Sequence, residues 1–351
     1  MGRALPRRLH SGPFAPRTVP DLLARFTHAG LETGRLRNPK QAASRVRAMA
    51  EISCDLADLT PAAIAEFFAD FERGPSRRGG PRSPNTVELH AAILRQALTW
   101  AVEQGWLDSS PFPVRLSIAA ERSCMDPLER DQNRLTGEEA GRLLSDSRIP
   151  GMRRAIYSAA LYAGPRPGEL LELRVGDLRT DNDGGRYWLI ARQWQGYEGE
   201  VRSTKTRVAR AVPMHPAALA AIDAHLAHWW PRKFGRPPAA DDLVFASPKF
   251  NRVDHMNIRT LNRWLKKDLA LVGAKPRTFH ALRASFISRL VVDLEQPALL
   301  VEWLTHRTAS IQQGGPVVGG YTRGVYGRAR KMICDVLAYP MANQAQLGFA
   351  F

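Results

Sequence analysis

Apolar residues recur at helical spacing along most of the chain. Val19, Leu22, Leu23 and Phe26 fall on one helix face, and the helical pattern they open runs from about residue 18 to 107. Thr60-Pro61, just after Leu59, reads as a helix start, with a hydroxyl N-cap and proline in the first turn. Ser83-Pro84 repeats that signal. Behind it Val87, Ala91, Leu94, Leu98 and Ala101 alternate spacings of 4 and 3, and Gly105 stands where a C-terminal stop belongs. Residues 109–133 are rich in Ser, Pro, Asp and Arg and lose the period, as a linker would. A new helix then opens at Thr136, whose hydroxyl and Glu139 form a capping-box pattern ahead of an apolar stripe. The remainder reads as helical except for two β-like stretches, Tyr187–Ala191 and Arg207–Val212, split by a polar, Gly-containing segment.

These patterns predict a mostly α protein with five parts: a basic arm at 1–16, a helical domain at 17–108, a linker at 109–133, a mainly α domain with a small antiparallel sheet at 134–338, and an uncharged tail at 339–351. The arm carries Arg3, Arg7 and Arg8 without periodicity.

Charge changes the picture. Fifty Lys and Arg against 34 Asp and Glu give a formal net charge of +16. Clustered cations on that scale suit a polyanion, because phosphate contacts release counterions. The loop Ser76–Arg82 brings Arg77, Arg78 and Arg82 to a helix N-terminus, where cations and the helix dipole both favour a phosphate backbone. Arg207 is a further DNA-contact candidate. Three scattered cysteines (Cys54, Cys124, Cys334) argue against a disulfide framework and fit a reducing compartment. No apolar run approaches a membrane span, and none follows the basic N-terminus as a secretory signal requires, so a cytoplasmic protein is expected.

Four clusters carry chemistry. Arg166 lies between Pro165 and Pro167, in a turn that separates two apolar helical segments after Gly164. The prolines restrict where it points. It needs an anion there, and a structural ion pair to Glu169 or Asp177 is the plainer alternative to a ligand. His280 and Arg283 are three apart and share a helix face, while Leu282 and Phe286 turn to a core. Lys205 stands at the tip or edge of the β-like hairpin. His306 follows an apolar helix and precedes Tyr321 and Tyr326, which lie about 140° apart on a helix and so do not share a face. His225 and His228 are read as a polar helix face, since no third metal ligand is evident.

Taken in order, Arg166, Lys205, His280, Arg283, His306 and a tyrosine resemble the tyrosine recombinase (phage integrase) family. Residues 135–144 look like its opening patch, Gly164–Leu170 like its first arginine box, and Ala211-Val212-Pro213 like the strand after its lysine. The resemblance implies a helical core-binding domain before a DNA breaking-rejoining domain. It implies a metal-independent enzyme without cofactor that attacks duplex DNA through a tyrosine and leaves a 3′-phosphotyrosyl bond. Arg166 and Arg283 would hold the phosphate oxygens, Lys205 would protonate the departing 5′-oxygen, His280 would exchange the tyrosine proton, and His306 would donate to the phosphate. Tyr321 heads a Tyr-x-Arg-x-x-Tyr run and is the expected nucleophile; Tyr326 begins an amphipathic tail and is expected to pack. The implied partners are recombination-site DNA, three further copies in a tetramer, and accessory DNA-bending or directionality proteins.

The chain departs from the pattern at Thr305, where glycine is usual, at Ala284, where a second histidine often stands, and in the interval from His306 to the nucleophile. Tyr321 lies 15 residues on (321 − 306), longer than usual, and Gln313–Val318 accounts for the extra length. A catalytically silent DNA-binding protein on the same scaffold and a topoisomerase-like nicking-closing enzyme are the alternatives.

Overall fold

The computed structural model describes residues 15–34, 36, 39–49, 52, 55–76, 79–116, 133–196, 199–204, 209–305 and 325–340. The chain divides into two compact units, Met1–Asp126 and Pro127–Phe351.

In the first unit the described residues form α1 (Val19–Glu32), α2 (Pro39–Ala48), α3 (Pro61–Arg73) and α4 (Pro84–Glu103). Three of these helices start as the sequence dictates. Thr18, Thr60 and Ser83 each accept a backbone N–H three residues on, and each is followed by proline in the first turn. A hydroxyl cap of this kind contributes about 1 kcal/mol. Leu22, Leu23 and Phe26 of α1 meet Ile64 and Phe68 of α3 and Leu94 and Leu98 of α4 in one core, all at most 1% exposed. Gly105 takes φ +71 just beyond the end of α4, a left-handed turn that suits glycine. The segment read above as the start of the linker touches this core at two points. Phe112 and Leu116 pack against it, and the Arg95 guanidinium sits 4.5 Å above the Phe112 ring.

The second unit begins with α5 (Gly137–Ser145), α6 (Gly151–Ala163) and α7 (Pro167–Leu171). The Thr136–Glu139 capping box is formed in both directions, at 3.1 and 2.9 Å. Helix α6 is buried over nearly its whole length and forms the axis of the core. Among the described residues five strands follow: β1 (Leu178–Thr180), β2 (Arg186–Ile190), β3 (Arg192–Gln195), β4 (Glu200–Ser203) and β5 (Arg210–Pro213). They make an antiparallel sheet in the order β1-β2-β5 and a separate β3-β4 hairpin. Trp188 of β2 opposes Val212 of β5, and both face the core. The β-like stretches of the sequence thus pair with each other as expected, but the polar segment between them is itself a hairpin. Its strands, Arg-Gln-Trp-Gln and Glu-Val-Arg-Ser, are half-buried or exposed, so they lack the apolar alternation that marks a strand.

Helices α8 (Pro216–Ala224), α9 (Trp230–Phe234), α10 (Ile258–Leu271), α11 (His280–Ser288) and α12 (Ala298–Thr305) complete the body, with α13 at residues 325–331. Wide π-helical turns follow α8, α11 and α13. The end of the described chain folds back on its own unit. Tyr339 is buried, donates to the Leu161 carbonyl at 3.0 Å and meets Tyr162 edge-on, while the Arg289 guanidinium donates to the Ala338 carbonyl. Residue 339, where the tail was expected to begin, is therefore core. Residues 341–351 lie outside the described chain.

Candidate active site

Arg166 caps α7 through its backbone. Its N–H donates to Glu169 Oε2 at 2.7 Å, and its guanidinium donates to Glu169 Oε1 at 3.0 Å. Of the two acids named as its alternative partners, Glu169 is the one engaged; Asp177 pairs with Arg192. The Glu169 side chain is wholly buried and also takes two bonds from Arg210, at 3.0 and 2.5 Å. Burial alone would raise its pKa, but Arg210 and Arg166 outweigh that and hold the carboxyl below its ordinary value. One anion therefore fixes two guanidiniums.

Arg283 is 3% exposed on α11 and reaches across the core. It donates to the carbonyl of Gly164 at 2.5 Å and to that of Thr305 at 2.7 Å. Burial first, then the charges of Arg166 and Arg210, push its pKa down to about 10. A guanidinium held so, beside two like charges and one carboxylate, leaves the cluster with excess positive charge to offer an anion. Gly164 makes the approach possible. Its φ of +58 ends α6 in a left-handed turn, and a Cβ there would lie 2.3 Å from Phe286.

His280 opens α11 one turn before Arg283, at the surface. Partial burial, then the cations of Arg283 and Arg166, hold its imidazole below its usual pKa, so it is neutral near pH 7 and able to take a proton. Leu282 and Phe286 are fully buried, as the helical spacing required. The structure thus brings Arg166, His280 and Arg283 together from positions more than a hundred residues apart.

Lys205, Arg207, His306 and Tyr321 lie outside the described residues, as do Arg77 and Arg78. Their neighbours are described. Thr204, before Lys205, is 2% exposed, and its N–H donates to Ala191 O at 3.3 Å at the foot of the β3–β4 hairpin. Strands β3 and β4 pair from Arg192 opposite Ser203 to Gln195 opposite Glu200, so Thr204 leaves this hairpin at its open end, while the expectation for Lys205 itself falls outside the described residues. Thr305, before His306, is 1% exposed and bonds back to Val301 O at 2.7 Å. Tyr326 donates to Asp181 Oδ2 at 3.2 Å and meets Tyr187 edge-on at 6.1 Å. Burial and then the Asp181 charge raise its pKa, so its phenol is a packed donor and a poor nucleophile.

Two readings change. The Arg82 guanidinium donates to Phe71 O at 2.5 Å and lies 4.0 Å above the Phe71 ring, so it clamps its loop onto α3. His225 is a core histidine, not part of a polar face: it is fully buried, bonds to Val244 O at 2.9 Å and stacks on Trp229. Among the described residues no group of three or more His, Cys, Asp or Glu side chains is placed to hold a metal ion. No described helix is long and apolar enough to cross a membrane. Arg210 escaped the sequence reading, although a charged residue at the head of an otherwise apolar strand was its signal.

Residues 133–313, just over half of the chain, match the model of the phage integrase family. The chain belongs to that family. Membership makes it a site-specific recombinase of the tyrosine class. It is 25% identical to tyrosine recombinase XerC of Shewanella amazonensis over 235 residues, which span 66% of this chain and 69% of XerC. Among solved structures, the Tn1549 transposon integrase in complex with transposon right end DNA aligns with TM-score 0.64 at 18% identity, covering 89% of this chain and 99% of that one. A lambda integrase tetramer bound to a Holliday junction aligns with TM-score 0.53 at 19% identity, covering 82% and 76%. The fold is that of the tyrosine recombinases.

Proposed function

We propose that this integrase cuts and rejoins duplex DNA through a phosphotyrosine formed by Tyr321, and exchanges strands between two sites. The Tyr321 oxygen attacks the phosphorus, a 3′-phosphotyrosyl bond forms, and the 5′-oxygen leaves with a proton from Lys205. Arg166 and Arg283 hold the nonbridging oxygens as charge builds there, and His306 donates to the same group. Neutral His280 takes the phenolic proton and returns it when the reaction reverses. The second strand's 5′-hydroxyl then attacks the phosphotyrosine, so no external energy source is needed. The cations supply the charge stabilisation that a metal gives elsewhere, and the proposal calls for no cofactor.

The observation that carries this reading is the convergence of Arg166, His280 and Arg283 on one cationic corner, with Arg283 held by the carbonyls of Gly164 and Thr305. Tyr326 supports Tyr321 by elimination, being committed to Asp181. The proposed working unit is a cytoplasmic homotetramer on two synapsed DNA sites, assisted by DNA-bending or directionality proteins. Arg77, Arg78 and Arg207 are the proposed backbone contacts.

A random-sequence duplex library, nicked to trap cleavage and captured on full-length protein under denaturing conditions, tests the proposal. Wild type and Tyr326→Phe should yield covalent adducts, and Tyr321→Phe none. An adduct that persists in Tyr321→Phe, or wild-type protein that captures no DNA, overturns it.

A further inference from the structure

A second buried carboxylate lies at the other end of α7. Glu169 near its start holds Arg166; Glu172, directly after its last residue, is 1% exposed and faces a different set of partners. Arg174 donates to it at 2.8 Å, and His255 Nε2 lies 2.5 Å from its Oε2. The His255 ring is also stacked on Trp194, with centroids 3.8 Å apart and planes within 4°. Glu172 thus aims the imidazole, and the imidazole covers the indole.

Trp194 is the one large apolar side chain on β3, and Val201 opposite it on β4 is exposed. The other described residues of the hairpin are polar or glycine, so among them the covered indole supplies the apolar anchorage. The backbone is seated at the same point: a Cβ on Gly168 of α7 would lie 2.7 Å from the Trp194 carbonyl, so only glycine permits this approach. From Trp194 the hairpin leads through β4 to Thr204, and the next residue is Lys205.

We propose that His255 is a positioning residue for strand transfer, which clamps Trp194 so that the β3–β4 hairpin presents Lys205 to the departing 5′-oxygen. The inference rests on the general-acid role proposed for Lys205. Neither His255 nor Trp194 touches the reacting phosphate; both act through the hairpin.

The test uses DNA recovered by the covalent capture above, prepared with either the ordinary 5′-oxygen or a 5′-bridging sulfur at the cleaved phosphate. Sulfur leaves as a thiolate, whose conjugate acid has a pKa near about 8.5, and so needs no proton donor. His255→Gln keeps a donor for Glu172 and removes the ring. It should cleave the oxygen substrate at least about 10-fold more slowly than wild type, within the range that general-acid catalysis spans, and the sulfur substrate at nearly the wild-type rate. His255→Phe keeps a ring over Trp194 and should cleave the oxygen substrate nearly as wild type does. Equal slowing of His255→Gln on both substrates, or none on oxygen, overturns the inference, as does a Phe variant as slow as the Gln variant. Lys205→Ala separates the two readings. If it is rescued by sulfur while His255→Gln is not, the clamp alone fails. If it is as slow on sulfur as on oxygen, the role of Lys205 fails and the clamp with it.

Discussion

Gly164→Ala is the most exposing single perturbation of this fold. A non-glycine residue at φ +58 costs about 1 kcal/mol from the backbone alone. The new methyl would also stand 2.3 Å from Phe286 Cδ1 and 2.7 Å from Cε1, and Phe286 is fully buried against α6. The ring cannot yield without displacing its neighbours, and overpacking of that kind costs about 1–3 kcal/mol. The sum is roughly 2–4 kcal/mol, which lowers the Tm of a unit of this size by about 10 °C. The damage should reach the site as well, because the Gly164 carbonyl holds Arg283. The assay is a double-mutant cycle with Phe286→Leu, read by denaturant melts and by covalent adduct yield. If methyl and ring collide, Phe286→Leu is far less harmful when combined with Gly164→Ala than alone, with a coupling above about 1 kcal/mol. Losses that simply add would show that the two residues do not meet and would refute the reasoning.

Three further outcomes follow from the geometry. The Glu169 and Glu172 carboxyls are depressed in the folded state, so their stabilisation is present above about pH 4.3, the ordinary Glu value, and is lost as pH falls through their folded values; Glu169→Gln should therefore be less stable at neutral pH and show a shallower acid limb in pH-dependent melts. Breaking its pairing with Arg210 should lower neutral stability by about 3 kcal/mol, since a buried cation loses its partner. Tyr326→Phe should keep adduct formation and lose about 1 kcal/mol of stability with its bond to Asp181, measured by urea melts. Thr136→Ala removes the hydroxyl half of the capping box at the start of α5, leaving the backbone N–H of residue 136 on Glu139, and should cost about 1 kcal/mol without changing cleavage of a captured duplex.

What was legible in the sequence was local. Thr60-Pro61, Ser83-Pro84 and Thr136 announce helix starts because a cap acts within three residues. His280 and Arg283 share a face because one turn relates them, and the prolines about Arg166 mark its turn. The partners that make these groups a site were hidden by distance along the chain. Arg210 meets Glu169 across 41 residues, and His255 meets Glu172 across 83. No periodicity encodes such pairs. The β3–β4 hairpin was hidden for another reason: a strand held by a single stacked indole has no alternating pattern to read. His225 was misread because a π-helical turn shifts the face on which a residue lies.

The connection that carries Tyr321 is fastened at both ends. Thr305 is buried and holds Arg283 through its carbonyl, and Tyr326 is tied to Asp181. Twenty residues, 306–325, lie between these fixed points. Joining two set anchors costs an entropy that depends on the intervening length only logarithmically, so spans of twenty and fourteen residues differ in it by ~0.3 kcal/mol. Length at this point is thus almost neutral thermodynamically. The anchors determine where the ends stand, and the interval between histidine and nucleophile can drift over generations with little pressure from stability. Spacing is then a poor guide to which tyrosine reacts, and the partner each phenol keeps is a better one.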